Sequence, residues 1–312
     1  MTLPRLTLGI DVSKARLDAF ASSTSEARGF ANDAEGIAAL VAWAQALSAF
    51  AVLEATATYD QPLVRALEAA GVGFHRCNPR KARQFARSAG FLAKTDRVDA
   101  RMLAAYGAAL ALRPAEPASP ARLELKALVL RRDQLVDLRK IERTRLADAG
   151  PAWLRDSLQG VIDILSAQIT ALDRQIAACV SAQADLAQAW DIARSAPGVG
   201  QVAAAVLLAD LPELGKVDRR SLAALAGLAP MACDSGTFRG QRRIQGGRKR
   251  VRDALYMAAL AATRSGPFKP AYQRMVQAGK APKVALIAIA RKLLVSLNAA
   301  FRDQVPFQIQ PA

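Results

Sequence analysis

Residues 6–12 read Leu-Thr-Leu-Gly-Ile-Asp-Val, an apolar, β-rich run that closes on a carboxylate. Residues 16–22 (Arg-Leu-Asp-Ala-Phe-Ala-Ser) and 27–31 (Ala-Arg-Gly-Phe-Ala) are two further short strand candidates. Three such runs in close succession predict an antiparallel meander. Asp33 has the chemistry of a helix N-cap, and a helix is expected from there to about Ser48. Ala51–Glu54 (Ala-Val-Leu-Glu) is the next strand candidate, Gln61–Ala70 a helix stopped by Gly71, and Val72–Cys77 another strand. Pro79 opens a basic helix to about Ala89, Gly90–Thr95 reads as a loop, and Asp96–Leu110 as a final helix.

Three strands, then helix, strand, helix, strand and two helices is the order of the ribonuclease H-like fold. In that fold the first strand and the Ala51–Glu54 strand lie side by side, and the last helix crosses near their ends. Asp11 and Glu54 end those two strands, and Asp96 and Asp99 stand three apart on one helix face. Four carboxylates are therefore expected to converge. They repel one another unless a cation intervenes, which argues for Mg²⁺ or Mn²⁺ at Asp11, Glu54, Asp96 and Asp99. A pair of such ions about 3.5–4 Å apart can activate a nucleophile and stabilise a leaving oxygen in phosphodiester chemistry. Each acid also has a plain reading: Asp11 as a turn residue, Glu54 as a strand-end charge, Asp96 as an N-cap, Asp99 as a first-turn acid that suits the helix dipole.

The whole chain is 312 residues with a formal charge of +16 and an apolar fraction of 52%, much of it alanine. That length suggests roughly two domains, and the alanine content favours helix. The charge implies a polyanionic partner, nucleic acid before membrane. It is unevenly placed: Lys216–Lys292 holds 17 Lys/Arg and only Asp218, Asp234 and Asp253, while Arg76–Arg101 holds eight basic residues beside Asp96 and Asp99. The best membrane-span candidate, Val284–Ala300, is interrupted by Arg291 and Lys292, and no membrane partner is expected. The first apolar stretch stops at Asp11, so no secretory leader is expected. Cys77, Cys179 and Cys233 form no CxxC pair, which argues against a disulfide framework and fits the cytoplasm. The single histidine, His75, weakens any Ser-His-Asp triad or His-rich metal centre and reads as structural.

Residues 113–120 (Arg-Pro-Ala-Glu-Pro-Ala-Ser-Pro) form a linker. Helical spacing then runs to about Ala189, with Leu123, Leu125, Leu128, Leu130, Leu135 and Leu138 on one stretch and Val161, Leu165, Ile169, Leu172, Ile176 and Val180 on another. A break at Gly150-Pro151 makes this a helical hairpin, expected to be a coiled-coil stalk. The last third opens on Pro197-Gly-Val-Gly200 before an apolar helix, a helix-hairpin-helix-like element whose free N–H groups could take a phosphate. Ser235 lies in Asp-Ser-Gly-Thr-Phe-Arg-Gly, residues 234–240, ahead of a dense basic run. A serine without histidine is poorly equipped for acyl transfer and better placed to attack a phosphodiester among arginines and metal. It also reads as an ordinary loop serine among arginines that hold a nucleic-acid backbone.

These segments together resemble the DEDD-type transposases of the insertion-sequence one-ten family, the bridge-RNA-guided recombinases. The match comprises GIDVSK (9–14), LEAT (53–56), KTDRVDAR (94–101), PGVG (197–200), LAGLAP (225–230), SGTFRG with IQGG and LYMAAL (235–260), and PKVALIAIARKLL (282–294). The resemblance covers nearly the whole chain. It implies a RuvC-like (RNase H-like) domain over 1–112, a linker and coiled-coil stalk over 113–190, and a mainly helical transposase domain over 191–312. It also implies that Asp11, Glu54, Asp96 and Asp99 are catalytic metal ligands and that Ser235 is a nucleophile forming a phosphoserine link to DNA. In that family a composite site forms between domains of different protomers, so homodimers pairing into tetramers are expected. A noncoding RNA paired with donor and target DNA is the further expected partner. Lys94, Arg97, Arg101, Thr237, Arg239, Arg242, Arg243, Arg248, Lys249, Arg250 and Arg252 are the expected nucleic-acid contacts. The alternatives are a RuvC-like nuclease using metal-activated water, a non-catalytic nucleic-acid binder, and a sugar or acetate kinase of the same broad fold. The kinase is disfavoured by the basic C-terminal segment and by the lack of an adenosine motif.

Overall fold

The computed structural model describes residues 6–55, 59–91, 95–115, 119–232 and 234–308. The chain divides into two compact units, Met1–Pro117 and Ala118–Ala312.

The first unit is a five-stranded sheet of β1 (Thr7–Val12), β2 (Arg16–Ala21), β3 (Glu26–Ala31), β4 (Phe50–Glu54) and β5 (Phe74–Cys77). Its order is β3-β2-β1-β4-β5, with β1, β2 and β3 antiparallel and β4 and β5 parallel to β1. This is the mixed sheet expected of an RNase H-like domain. The period-two alternation of a strand sorts β1 into two faces. Leu8, Ile10 and Val12 point into a core with Leu40, Leu53, Leu63 and Leu67, beneath α1 (Ala34–Ala46) and α2 (Gln61–Ala69). The other face carries α3 (Pro79–Ser88) and α4 (Asp96–Ala109), over Phe50, Val52, Cys77, Ala82, Met102, Leu103 and Tyr106. Asp33 caps α1 as its chemistry demands, accepting from Gly36 N at 2.9 Å. His75 has a structural partner, with Nδ1 3.0 Å from the Arg113 carbonyl oxygen.

The second unit opens on α5 (Pro120–Ala147) and α6 (Ala152–Ser181), which pack as an antiparallel hairpin. Arg132 Nε bonds Asp173 at 2.5 Å and Arg139 Nη1 bonds Ser166 at 3.2 Å. These contacts advance seven residues on one helix and retreat seven on the other, which fixes the direction. Ile162, Ile169 and Ile176 repeat the same seven-residue step on the buried face of α6. The root of the hairpin belongs to the core that follows it. Leu125, Val129, Ile176 and Val180 are buried with Leu207, Leu255, Leu293 and Leu297.

That core is built by α7 (Ala184–Arg194), α8 (Gln201–Asp210), α9 (Arg219–Leu225), α10 (Lys249–Ser265), α11 (Lys269–Gln277) and α12 (Pro282–Asp303). By length and composition α12 could cross a membrane. In this unit its apolar stripe of Leu286, Ile289, Leu293, Leu294 and Leu297 is core, each leucine contributing on the order of 2 kcal/mol by burial. Between α9 and α10 the chain forms two short β pairs that sequence patterning misses: β6 (Pro230–Met231) with β9 (Arg243–Ile244), and β7 (Asp234–Ser235) with β8 (Phe238–Arg239). Cys77 and Cys179 are free thiols; Cys233 lies outside the described residues.

Candidate active site

The position of the acids in the first unit is decided by a glycine. A Cβ on Gly9 would lie 2.0 Å from the Ala100 carbonyl oxygen and 2.3 Å from Ala104 N. With no side chain there, the backbone of α4 rests directly on β1. The contact continues where Thr7 Oγ1 donates to the Ala104 carbonyl at 2.9 Å, and where Gly107 leaves room for Val52 of β4. The small residues Ala100, Ala104 and Gly107 are thus the seam along which α4 docks. Asp99 precedes that seam by one residue and Asp96 by one turn.

Sheet register supplies the other acids. Ile10 pairs with Leu53, so the next step sets Asp11 of β1 beside Glu54 of β4. Asp11 also pairs with Asp18 of β2, and Glu54 with Cys77 of β5. Paired residues on neighbouring strands share a face, and this one is the face covered by α4. Asp11 feels all of these acids: its carboxyl is pushed up to about 6 by burial, then by Asp99, Asp96, Glu54 and Asp18. Cys77 beyond Glu54 is pushed up to about 12, again by burial first and by Glu54 second.

The other three expected carboxylates therefore all act on Asp11, but the four do not close into a cage. Among the described residues no group of three Asp, Glu, His or Cys side chains is arranged to hold a metal ion. The donor set, all hard carboxylate oxygens, suits Mg²⁺ or Mn²⁺; Asp11 is raised first by burial and then by the neighbouring acids. The metal thus fits the residues present.

Thr95 does the capping of α4, its Oγ1 accepting from Val98 N at 3.3 Å, so Asp96 is a first-turn residue rather than the N-cap. Arg97 is exposed on the same turn. Arg101 is exposed too, its guanidinium 6.0 Å over the Phe20 ring. Lys94 lies outside the described residues.

Sequence patterning does not single out Asp18. It is 7% exposed, with Arg16 Nε 3.2 and 3.0 Å from its two oxygens. A signal for it exists: Arg16, Asp18 and Phe20 alternate on one strand face, and a tight turn after Val12 sets Asp18 opposite Asp11.

In the second unit Ser235 ends β7 at the tip of a two-residue hairpin, paired with Phe238. Gly236 takes a φ of +55°, which the first turn position of such a hairpin requires and which L side chains resist. Ser235, Thr237 and Arg239 are exposed. Asp234 braces the loop: Oδ1 accepts from Gly240 N at 3.1 Å, and Oδ2 from Arg242 Nη2 at 3.2 Å. The glycines of IQGG and LAGLAP form the base, since a Cβ on Gly247 would lie 2.1 Å from Gly227 N.

The basic run divides. Arg242, Arg243 and Lys249 are exposed, and Lys249 pairs with Asp253 one turn on at 2.5 Å. Arg248 instead forks onto both Glu213 oxygens at 2.5 and 2.6 Å, holding the Glu213 carboxyl below its ordinary value against the opposing effect of burial. Arg250 bridges Asp133 of α5 at 3.0 Å and Asp210 of α8 at 3.1 Å. Arg252 donates to the Gly246 carbonyl at 2.7 Å. These three guanidiniums tie the second unit together.

The two glycines of Pro197-Gly-Val-Gly200 also have different work. Gly198 has a φ of +78°, and a Cβ there would lie 2.1 Å from the Ala258 carbonyl oxygen. Gly200 starts α8, with nothing within 4 Å of an added Cβ.

Residues 8–149 match the DEDD transposase family of IS110 elements, described as "Transposase". Residues 191–274 match one described as "Transposase IS116/IS110/IS902 family". The chain is 31% identical to the pilin gene-inverting protein of Moraxella bovis, over 96% of this chain and 97% of that one. Its counterpart in Moraxella lacunata is 30% identical over the same shares. An uncharacterized 43.6 kDa protein of insertion element IS110 from Streptomyces coelicolor is 31% identical over 47% of this chain and 38% of its own length. With both family matches in order along the chain and full-length similarity to the Moraxella proteins, the chain belongs to the IS110 family of transposases.

Proposed function

We propose that this transposase cuts and rejoins DNA site-specifically through a covalent phosphoserine intermediate at Ser235, assisted by divalent metal at Asp11, Glu54, Asp96 and Asp99. The observation that supports the metal reading is that strand register sets Asp11 beside Glu54 on the face covered by α4, whose first turn carries Asp96 and Asp99; the serine reading is supported by the exposed hairpin that Ser235 ends among arginines. A bound Mg²⁺ or Mn²⁺ would supply Lewis-acid stabilisation of charge on the phosphate and leaving oxygens. Ser235 Oγ gives up its proton and bonds to phosphorus as the bond from phosphorus to a deoxyribose oxygen breaks, and that oxygen takes up a proton and leaves as a hydroxyl. The phosphodiester energy stays in the serine ester, and reversal by another strand's hydroxyl joins new ends. Arg239, Arg242, Arg243 and Thr237 on and beside the hairpin, with Arg97 and Arg101 on α4, neutralise and orient phosphates.

The Moraxella relatives are named for inverting a pilin gene, and inversion is site-specific strand exchange between two DNA sites. The same chemistry suits the present chain, with donor and target DNA as substrates. A noncoding guide RNA would carry sequence choice by base pairing, leaving the protein to hold backbone. The α5–α6 hairpin is proposed as a coiled-coil element through which homodimers form and pair into tetramers.

The test is to quench a reaction on labelled DNA with detergent and look for protein-linked strand. Wild type should give a phosphoserine adduct, Ser235→Ala none, and Asp11→Asn none in Mg²⁺. Strand cleavage by Ser235→Ala at wild-type rate would leave a metal-activated water as nucleophile instead. RNA that co-purifies with the protein, once sequenced, tests the guide: recovery of no specific species overturns it.

A further inference from the structure

We infer that Asp18, clamped by Arg16, is a positioning residue that sets the charge of the Asp11 carboxylate row. The inference rests on the reading of Asp11 as a metal ligand.

Three observations carry it. Asp18 is directly opposite Asp11 in the β1–β2 ladder, and Glu54 is on Asp11's other side. Three neighbouring strands thus contribute Asp18, Asp11 and Glu54 to one row on the face beneath α4. Asp18 is also nearly buried, a costly place for a carboxylate, where an apolar residue would pack more cheaply. Finally, its counter-charge has a prepared seat. A Cβ on Gly29 of β3 would lie 2.1 Å from Arg16 Nη2 and 2.8 Å from Cζ, so the guanidinium lies across strand β3 in the space a side chain would fill. Gly29 is itself the ladder partner of Asp18. Acid, base and glycine form one unit across β2 and β3, with its negative end toward Asp11.

A pair arranged in this way adds attraction for a cation at Asp11 while Arg16 offsets the repulsion among the acids. Removing one partner or the other therefore moves cation affinity in opposite directions. A pair that merely pins the meander would move it in neither direction, or in the same direction for both variants through loss of fold.

The experiment is titration of the full-length protein with Mn²⁺ alone, in the absence of nucleic acid, read by the free-ion electron paramagnetic resonance signal. Circular dichroism and a thermal melt accompany each variant. Asp18→Asn keeps the shape and is expected to weaken Mn²⁺ binding about fivefold. Arg16→Gln is expected to tighten it by about the same factor, at some cost in melting temperature. Arg16→Lys, which restores the charge, returns affinity to wild type even if Arg16→Gln folds poorly. Unchanged affinity in Asp18→Asn, or a shift of the same sign in Asp18→Asn and Arg16→Gln, overturns the inference while Asp11→Asn still abolishes binding. If Asp11→Asn leaves Mn²⁺ binding intact, the metal reading falls and takes this inference with it.

Discussion

The backbone of Ala104 lies on Gly9, so closely that a methyl group on residue 9 would sit 2.3 Å from its nitrogen. That contact fixes where α4, and with it Asp96 and Asp99, meets Asp11. Gly9→Ala must lift the helix from the sheet. The expected cost is about 1–3 kcal/mol of stability, read by denaturant unfolding. Activity should fall further than that loss explains, because α4 carries two of the four acids. Full activity in a stable Gly9→Ala protein would show that the seam does not position the site.

Asp11 makes the first unit sensitive to pH. Its folded carboxyl titrates at about 6, above the ordinary value of 3.8. The folded state therefore holds a proton that the unfolded state releases, and this group's contribution to stability falls as pH rises from about 4 to about 6. Above that window the cost is fully present. Melting temperature measured in chelator should fall across this window and lose that slope in Asp11→Asn. Added Mn²⁺ should restore stability at about pH 7, because a cation favours the ionised form. At subsaturating metal, Mn²⁺ binding should weaken as pH falls through about 6, where a proton competes for Asp11, and excess metal should move that loss to lower pH.

The arginines after Ser235 should separate into two groups. Arg250→Ala leaves Asp210 without its arginine and Asp133 with only the longer contact to Arg132, and about 2 kcal/mol of stability should go with it. Arg243→Ala should leave unfolding unchanged, weaken nucleic-acid binding across sequences, and reduce the salt slope of binding by about one. Equal stability losses in the two variants would contradict the division.

Gly198 and Gly200 offer a similar contrast. Gly198→Ala meets the Ala258 carbonyl and a positive φ and should destabilise the second unit by about 2 kcal/mol or more. Gly200→Ala meets open space and should cost less, about 0.5–1 kcal/mol, because alanine is a poorer N-cap of α8 than glycine. If the N-terminus of α8 takes a phosphate, Gly200→Ala should weaken DNA binding more than that loss explains.

Most of the first unit can be read directly from local chemistry. Asp33 caps the helix that its chemistry predicts, and strand runs of alternating residues pair in the expected order, because both signals lie within a few residues. The acids at 11, 54, 96 and 99 stand out for the same reason, each at the end of a recognisable element. What stays hidden is pairing across distance. Asp133 and Arg250 are 117 residues apart, so the run of arginines looks uniformly solvent-facing although three of its members are committed inward. Asp18 is hidden by register, which a strand pattern does not specify until its partner is known. Gly9 looks like slack before a carboxylate and is instead a close backbone contact between strand and helix.

The α5–α6 hairpin is rooted in the same core as α8, α10 and α12. Its thirty-residue helix α6 reaches about 45 Å. A body of that length fixed at one end is a lever. A tilt of about 5° at the root carries the far end through about 4 Å, given that reach. Near the root Arg250 ties Asp133 of α5 to Asp210 of α8, and Arg250 belongs to α10, the helix that follows the serine hairpin along the chain. The root of that lever and the helix that follows the Ser235 hairpin thus share one ion-paired support.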